Sequence, residues 1–340
     1  MPHFDLSLDA LRTYRPEIER PADFETFWKQ SAAEAQAHPI AATFALVAEP
    51  AFQNVRVFDV RFAGFAGQPI CGWLLLPGVA DATRHPCIVS FVGYGGGRGF
   101  PIAHLAPSAA GFAHFVMDTR GQGSGWSIGE TPDEAGPADP QFPGFMTRGV
   151  ASPQSYYYRR VFIDALRAVE AAASHAEIDA SRIILSGASQ GGGIAIAAAA
   201  LSAIAPPTTA SRSGASKVEV RGVCADVPFL CHFRRATTII DTAPYNEIAK
   251  YLACHRANAS EVYRTLSYFD GANFAPYVRC PALFSVGLMD QICPPSTVFA
   301  AYNRLPESIR REIRIYEFNS HEGGADMQTM ERLRFAMSLV

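Results

Sequence analysis

The chain has 340 residues, enough for one large α/β domain or two smaller ones with a substantial buried core. Its 29 Lys and Arg stand against 32 Asp and Glu, a net charge of -3. That balance excludes a broad basic face for nucleic acid or anionic lipid and favours a small, neutral or weakly charged substrate.

In chain order, the opening MPHFDLSLDALRTYRPEIER carries acidic residues among few apolar ones and no apolar stretch of signal-peptide length, which predicts a cytoplasmic protein. Residues 1–40 read as a helical extension of two short helices, the second running from Phe24 to His38 with Asp23 as its N-cap and stopping before Pro39. Strand-like runs follow at Thr43–Ala48, Asn54–Ala63 and Pro69–Leu76, an antiparallel start to a sheet. From Cys87 the rhythm changes. Cys87–Phe91 is a short apolar run ending in GYGGGRG, and Phe115–Met117 is another, ending in DTRGQGSG. Both read as parallel strands buried on two faces.

Between Ser155 and His175, Tyr158, Phe162, Leu166, Val169 and Ala173 recur at helical spacing, with Arg160, Asp164 and Arg167 off that stripe. This predicts an amphipathic crossover helix. Arg182–Leu185, Val218–Cys224, Ala282–Val286 and Ile313–Phe318 supply further strands, and Gly191–Ala205 is a buried helix too short to cross a membrane. The stretch at 205–217, rich in Pro, Ser and Thr, reads as a surface loop rather than a domain linker. A single α/β domain is expected, with a mainly parallel twisted sheet, helices on both faces and an antiparallel beginning.

In such a sheet, ligands sit at the carboxyl ends of the strands, so reactive residues just after a strand are the candidates. The run SGASQGGG places Ser189 between Gly187 and Gly191 where a strand gives way to a helix. Small flanking residues are what a sharp strand-to-helix turn needs, because a Cβ there would clash. Asp290 closely follows PALFSVG, and His321 follows IRIYEF. The order Ser, Asp, His is that of the α/β-hydrolase triad. A serine hydroxyl needs a base, an imidazole serves, and a carboxylate holds the imidazole tautomer. His232 and His255 are weaker bases because no strand precedes them, and Asp226 and Asp270 are weaker orienters, Asp226 lying one strand too early. For the oxyanion, the donors expected in this fold are the Gln190 N–H and an N–H of the GYGGGRG loop, assigned to Tyr94. That loop matches neither G-x-G-x-x-G nor G-K-[ST], so no nucleotide site is expected.

The seven cysteines lack a C-x-x-C pair, so reduced thiols are expected. Cys231-His232 and Cys254-His255 are ligand types without a second half-site, and no metal is expected.

RGQ at 120–122, G-x-S-Q-G at 187–191 and His321-Glu322, in that order, resemble the signature of carbohydrate esterase family seven, the acetyl xylan esterases and cephalosporin C deacetylases. The likeness runs from FDLSLDALRTYRPE to EIRIYEFNSHEGG, nearly the whole chain. It implies an α/β-hydrolase fold without metal or organic cofactor, acting on acetyl esters of short xylo-oligosaccharides and related small molecules. It also implies a hexamer built from dimers, with active sites facing an internal cavity. Carried over, the triad is Ser189, Asp290 and His321, with Tyr94 and Gln190 as oxyanion donors. Arg120, Gln122 and Glu322 are supporting residues; Arg120 is expected to brace the active-site loops through a carboxylate or carbonyl. Pro228 and Phe229 are candidates for the wall of a small acyl pocket, or plain core. Other readings are a broader short-chain carboxylesterase, a lipase or a peptidase on the same triad, or a non-catalytic binding protein on a hydrolase scaffold.

Overall fold

The computed structural model describes residues 3–78, 84–134, 139–207 and 218–340. The loop expected at 205–217 falls outside the described residues from 208 onward. Within them the chain forms one nine-stranded sheet: β1 Thr43–Leu46, β2 Val55–Ala63, β3 Pro69–Pro77, β4 His85–Phe91, β5 Ala113–Met117, β6 Ile178–Ala188, β7 Val220–Asp226, β8 Ala282–Gly287 and β9 Arg311–Tyr316. The spatial order is β1-β2-β3-β5-β4-β6-β7-β8-β9. β1 to β3 pair antiparallel, β3 meets β5 antiparallel, and the rest pair parallel. This is the antiparallel beginning and parallel body that the run of strands predicts.

Alternate residues of the central strands enter two separate cores, as the two-residue period of a strand requires. Val89 and Leu185 pack into the large core and Ile88 and Ile184 into the smaller one. The large core holds the helices Phe24–Gln36, Tyr157–Ser174 and Gln190–Ile204; the smaller one is covered by the C-terminal helix Ala325–Met337, through Phe335 and Ala336.

Three local expectations need correction. Asp23 occupies the N-cap position but makes no capping bond; its carboxylate accepts the Tyr268 hydroxyl at 2.6 Å. The crossover helix is not amphipathic toward water, because Arg160, Asp164 and Arg167 are all at most 3% exposed. Each is paired instead, with Asp133, Arg120 and Glu170 respectively. Burial of a charge is tolerated only with such partners. β6 begins four residues earlier than its apolar run, because Ile178 pairs with His85 across a register shift.

Candidate active site

β6 ends at Ala188 and the helix Gln190–Ile204 begins one residue after Ser189. Ser189 therefore carries the whole reversal, at φ 55° and ψ -122°, a strained conformation for a residue with a side chain. The flanking glycines follow from contact. A Cβ on Gly187 would overlap the Gly191 backbone, and one on Gly191 would overlap the Phe91 carbonyl of β4. The turn is locked by the Ser189 N–H on the Asp226 carbonyl at 2.9 Å and by the Phe229 N–H on the Ser189 carbonyl at 2.9 Å.

Asp290 follows β8 and is fully buried. Its Oδ2 lies 2.8 Å from His321 Nδ1, while Oδ1 accepts the backbone N–H groups of Ile292 and Cys293 at 2.8 and 2.9 Å. The carboxylate is thus held in place and leaves Nε2 as the free nitrogen of the imidazole. His321 lies in the loop between β9 and the C-terminal helix, beyond which Gly323 and Gly324 turn at φ 49° and 91°. Glu322, exposed, ties this loop through Asn319 Nδ2 at 2.8 Å, which holds its carboxyl below the usual range. Ser189, His321 and Glu322 line one cavity of about 900 Å³, with Tyr94, Trp126, Val227, Pro244 and Ile292 also on its wall.

Of the two residues expected to supply oxyanion donors, Tyr94 lines the same cavity, and Gln190, fully buried, directly follows Ser189 at the start of the helix. Neither the Tyr94 nor the Gln190 N–H has an acceptor among the described residues, and Gln190 is the first residue of its helix, where N–H groups are unpaired by construction. Gln122 joins the two sides. Its Oε1 accepts the Gly95 N–H at 2.8 Å and its Nε2 donates to Gln190 Oε1 at 2.8 Å. Gln190 Nε2 in turn donates to the Val92 carbonyl at 3.1 Å.

Arg120 is fully buried and grips Asp164 with two bonds, 2.6 and 2.7 Å, so it braces the loop after β5 against the crossover helix and does not enter the cavity. Pro228 and Phe229 lie against Gly192 and Gly193 of the helix; from that segment Val227 forms the cavity wall. The rivals separate from the site. His232 lines a different cavity, with burial pushing it down to about 4, and His255 stacks on Tyr251. Asp270 caps a short helix and accepts the His232 and Phe233 N–H groups, and Asp226 binds Arg332 and Gln328 of the C-terminal helix.

Three residues at the site are not apparent from the sequence. Cys293 is buried beside Asp290 and His321, and burial raises its thiol pKa well above the usual range. Glu247 accepts the Tyr94 hydroxyl at 2.8 Å and the Met146 N–H at 3.1 Å, its carboxyl pushed up by burial. Trp126 donates to the Tyr94 carbonyl at 2.8 Å. For Cys293 a signal exists in the Asp290-x-x-Cys293 spacing, which brings its N–H back to the carboxylate; Glu247 and Trp126 have none. The side-chain donors of Asp290, Cys293 and His321 lie within 4.8 Å of one another, but the imidazole Nδ1 and both carboxylate oxygens are already committed. That set is poorly suited to a metal.

Among known proteins, the acetyl xylan esterase family matches residues 1–339. The acetyl xylan esterase from Paenibacillus sp. R4 superposes with a TM-score of 0.88 at 36% identity, over 98% of this chain and 100% of that one. Acetyl xylan esterase 1 from Thermoanaerobacterium sp. JW/SL YS485 gives 0.85 at 29% identity, over 99% of each. The acetyl esterase Axe7A of Xylanibacter ruminicola is 24% identical over 313 residues, 90% of this chain; the chain spans 65% of the length of that relative. By its sequence from end to end and by its α/β-hydrolase architecture, the chain belongs to the acetyl xylan esterase family.

Proposed function

We propose that the protein is a serine esterase that removes acetyl groups from acetylated xylo-oligosaccharides and small acetyl esters such as cephalosporin C through an acyl-enzyme. The observation that carries the reading is Ser189 on its strained turn in one cavity with His321, whose Nδ1 is fixed by Asp290. In this reading Ser189 Oγ attacks the acetyl carbonyl as His321 Nε2 takes its proton. The oxyanion is met by the Tyr94 and Gln190 N–H groups, and His321 returns the proton to the departing alcohol. Water then repeats the sequence on the acetyl-serine and releases acetate. Val227, Pro244 and Ile292 offer an apolar wall for a methyl group.

The same reading carries a cytoplasmic location and, from the family, self-association to a hexamer. No described helix is long and apolar enough to cross a membrane.

The test is the rate on acetate, butyrate and octanoate esters of one chromogenic alcohol, for the parent and for Ser189→Ala. The expected result is a sharp preference for acetate that disappears in the variant, followed by acetate release from acetylated xylo-oligosaccharides and cephalosporin C. Activity that survives Ser189→Ala would remove the nucleophile assignment. A rate independent of chain length would point to the broader carboxylesterase or lipase.

A further inference from the structure

An N–H donor serves an oxyanion only if its peptide is already aimed before the charge develops, because reorientation during the reaction removes most of the benefit. The Gln190 N–H is aimed by its helix. The Tyr94 N–H lies in a glycine-rich loop, GYGGGRG, whose backbone has wide freedom, Gly95 and Gly99 standing at φ 76° and 55°. Something outside the loop must fix it.

Two contacts do so, on the peptide that follows Tyr94. Its N–H end, Gly95, donates to Gln122 Oε1 at 2.8 Å, and its carbonyl end, Tyr94 O, accepts the indole N–H of Trp126 at 2.8 Å. A peptide unit is planar, so fastening both ends fixes its plane and restrains, through the Tyr94 Cα, the backbone that carries the Tyr94 N–H. Gln122 is buried and belongs to the amide network with Gln190. Trp126 is different: 67% exposed, it is not held there by a dry core. Its loop is laced to the oxyanion loop by backbone bonds, Gly97 N–H to Ser127 O at 3.0 Å, Gly99 N–H to Ile128 O at 2.8 Å and Gly125 N–H to Gly95 O at 2.9 Å. The indole lies so close over Gly96 that a Cβ there would overlap the ring. A large aromatic left mostly in water, with its single donor aimed at one carbonyl beside the site, is poorly explained by packing.

We propose that Trp126 is a positioning residue for the oxyanion, its indole N–H holding the Tyr94–Gly95 peptide so that the Tyr94 N–H faces the attacked carbonyl. This rests on the esterase reading above. Trp126 touches no reacting atom in this role; it acts through Tyr94.

The experiment compares parent, Trp126→Phe and Trp126→Ala. Phe keeps a ring against the glycines and removes only the donor. For each, kcat and KM are measured on 4-nitrophenyl acetate, together with the inhibition constant of methylboronic acid, which forms a tetrahedral adduct on serine and samples the oxyanion donors. The expected result for Trp126→Phe is a fall in kcat of about tenfold, less than the 10²–10³ of deleting a donor outright, with KM within about twofold. The boronic acid should weaken by the same factor as kcat/KM, as a transition-state mimic must. Trp126→Ala should lose at least as much. A kcat for Trp126→Phe within twofold of the parent, or a loss of kcat without weaker boronate binding, overturns the inference. Ser189→Ala measured alongside separates the two claims: if it retains activity the assignment of Ser189 as nucleophile, on which this inference rests, fails, and if it is inactive while Trp126→Phe runs at the parental rate only the role of Trp126 fails.

Discussion

Both oxygens of Asp290 have fixed employment, Oδ2 on His321 Nδ1 and Oδ1 on the Ile292 and Cys293 N–H groups. Asp290→Asn must therefore aim its NH₂ either at the imidazole, forcing the wrong tautomer, or at two backbone donors, opening the turn. Either way kcat on 4-nitrophenyl acetate should fall by about 10³–10⁴-fold, the scale of tautomer loss in this kind of triad, with the fold retained. A loss under tenfold would take Asp290 out of the proposed triad. Ser189, Asp290 and His321 are legible in the sequence because each is the reactive residue nearest a strand end, and the strands are apolar runs anyone can count. Glu247 is not legible, because its meaning comes from Tyr94, 153 residues away. Local pattern has no access to a contact at that separation. Of the two readings open for Pro228, pocket wall or plain core, its packing against Gly192 is that of core, and the turn after β7 presents Val227, at φ 38°, to the cavity.

At the scale of elements, the loop after β5 is held to the crossover helix by Arg120 and Asp164, 0% and 1% exposed at their side chains. Asp164 also accepts the Phe65 N–H at 2.8 Å, and Tyr157 of the same helix donates to the Arg120 carbonyl at 2.5 Å. Arg120→Met would leave the Asp164 carboxylate buried without its cation and should cost about 3–5 kcal/mol of stability. The double variant Arg120→Met with Asp164→Leu should recover much of it, since two apolar groups can replace a buried pair at little cost. Denaturant midpoints for the single and double variants test this; a double variant no more stable than the single would show that the helix and loop are joined mainly by other contacts. This pair is also where the sequence misleads. All nine strands can be placed from apolar runs, and their ends differ by only a few residues. A charged residue off an apolar stripe nevertheless looks the same whether it faces water or a buried partner. Arg160, Asp164 and Arg167 are decided by Asp133, Arg120 and Glu170, two of which lie on other elements.

For the molecule as a whole, buried neutral histidines set the response to acid. Burial pushes His114 down from 6.5 to about 3, beside His104 and Arg332, and its ring bonds to Ser90 Oγ and the His104 carbonyl, both at 2.8 Å. Burial likewise pushes His232 down to about 4, with Arg235 and Arg304 opposing its charge and Asp5 favouring it. Below 6.5 the unfolded chain takes up two protons that the folded chain does not. The stability these groups contribute is thus complete above pH 6.5 and is lost as pH falls toward 4 and 3. Asp270 works in reverse. Burial raises it from 3.8 to about 6, so between these values the folded chain holds a proton that the unfolded chain lacks, and stability is gained as pH falls. Smaller shifts also oppose each other: burial lowers His104, which adds to the loss, and raises Glu247, which adds to the gain. Between pH 6 and 4 the unfolded chain holds the His114 proton and the folded chain does not, so this residue by itself contributes a fall in unfolding free energy of about 1.4 kcal/mol per pH unit, against the opposite pull of Asp270, Glu247 and the buried Asp226. His114→Gln keeps polar partners for Ser90 and the His104 carbonyl but cannot titrate, and it should lower the parent's slope by about that amount. Urea unfolding across pH 4–7 measures both slopes. A variant whose slope equals the parent's would show that His114 is protonated in the folded protein and that acid sensitivity arises elsewhere.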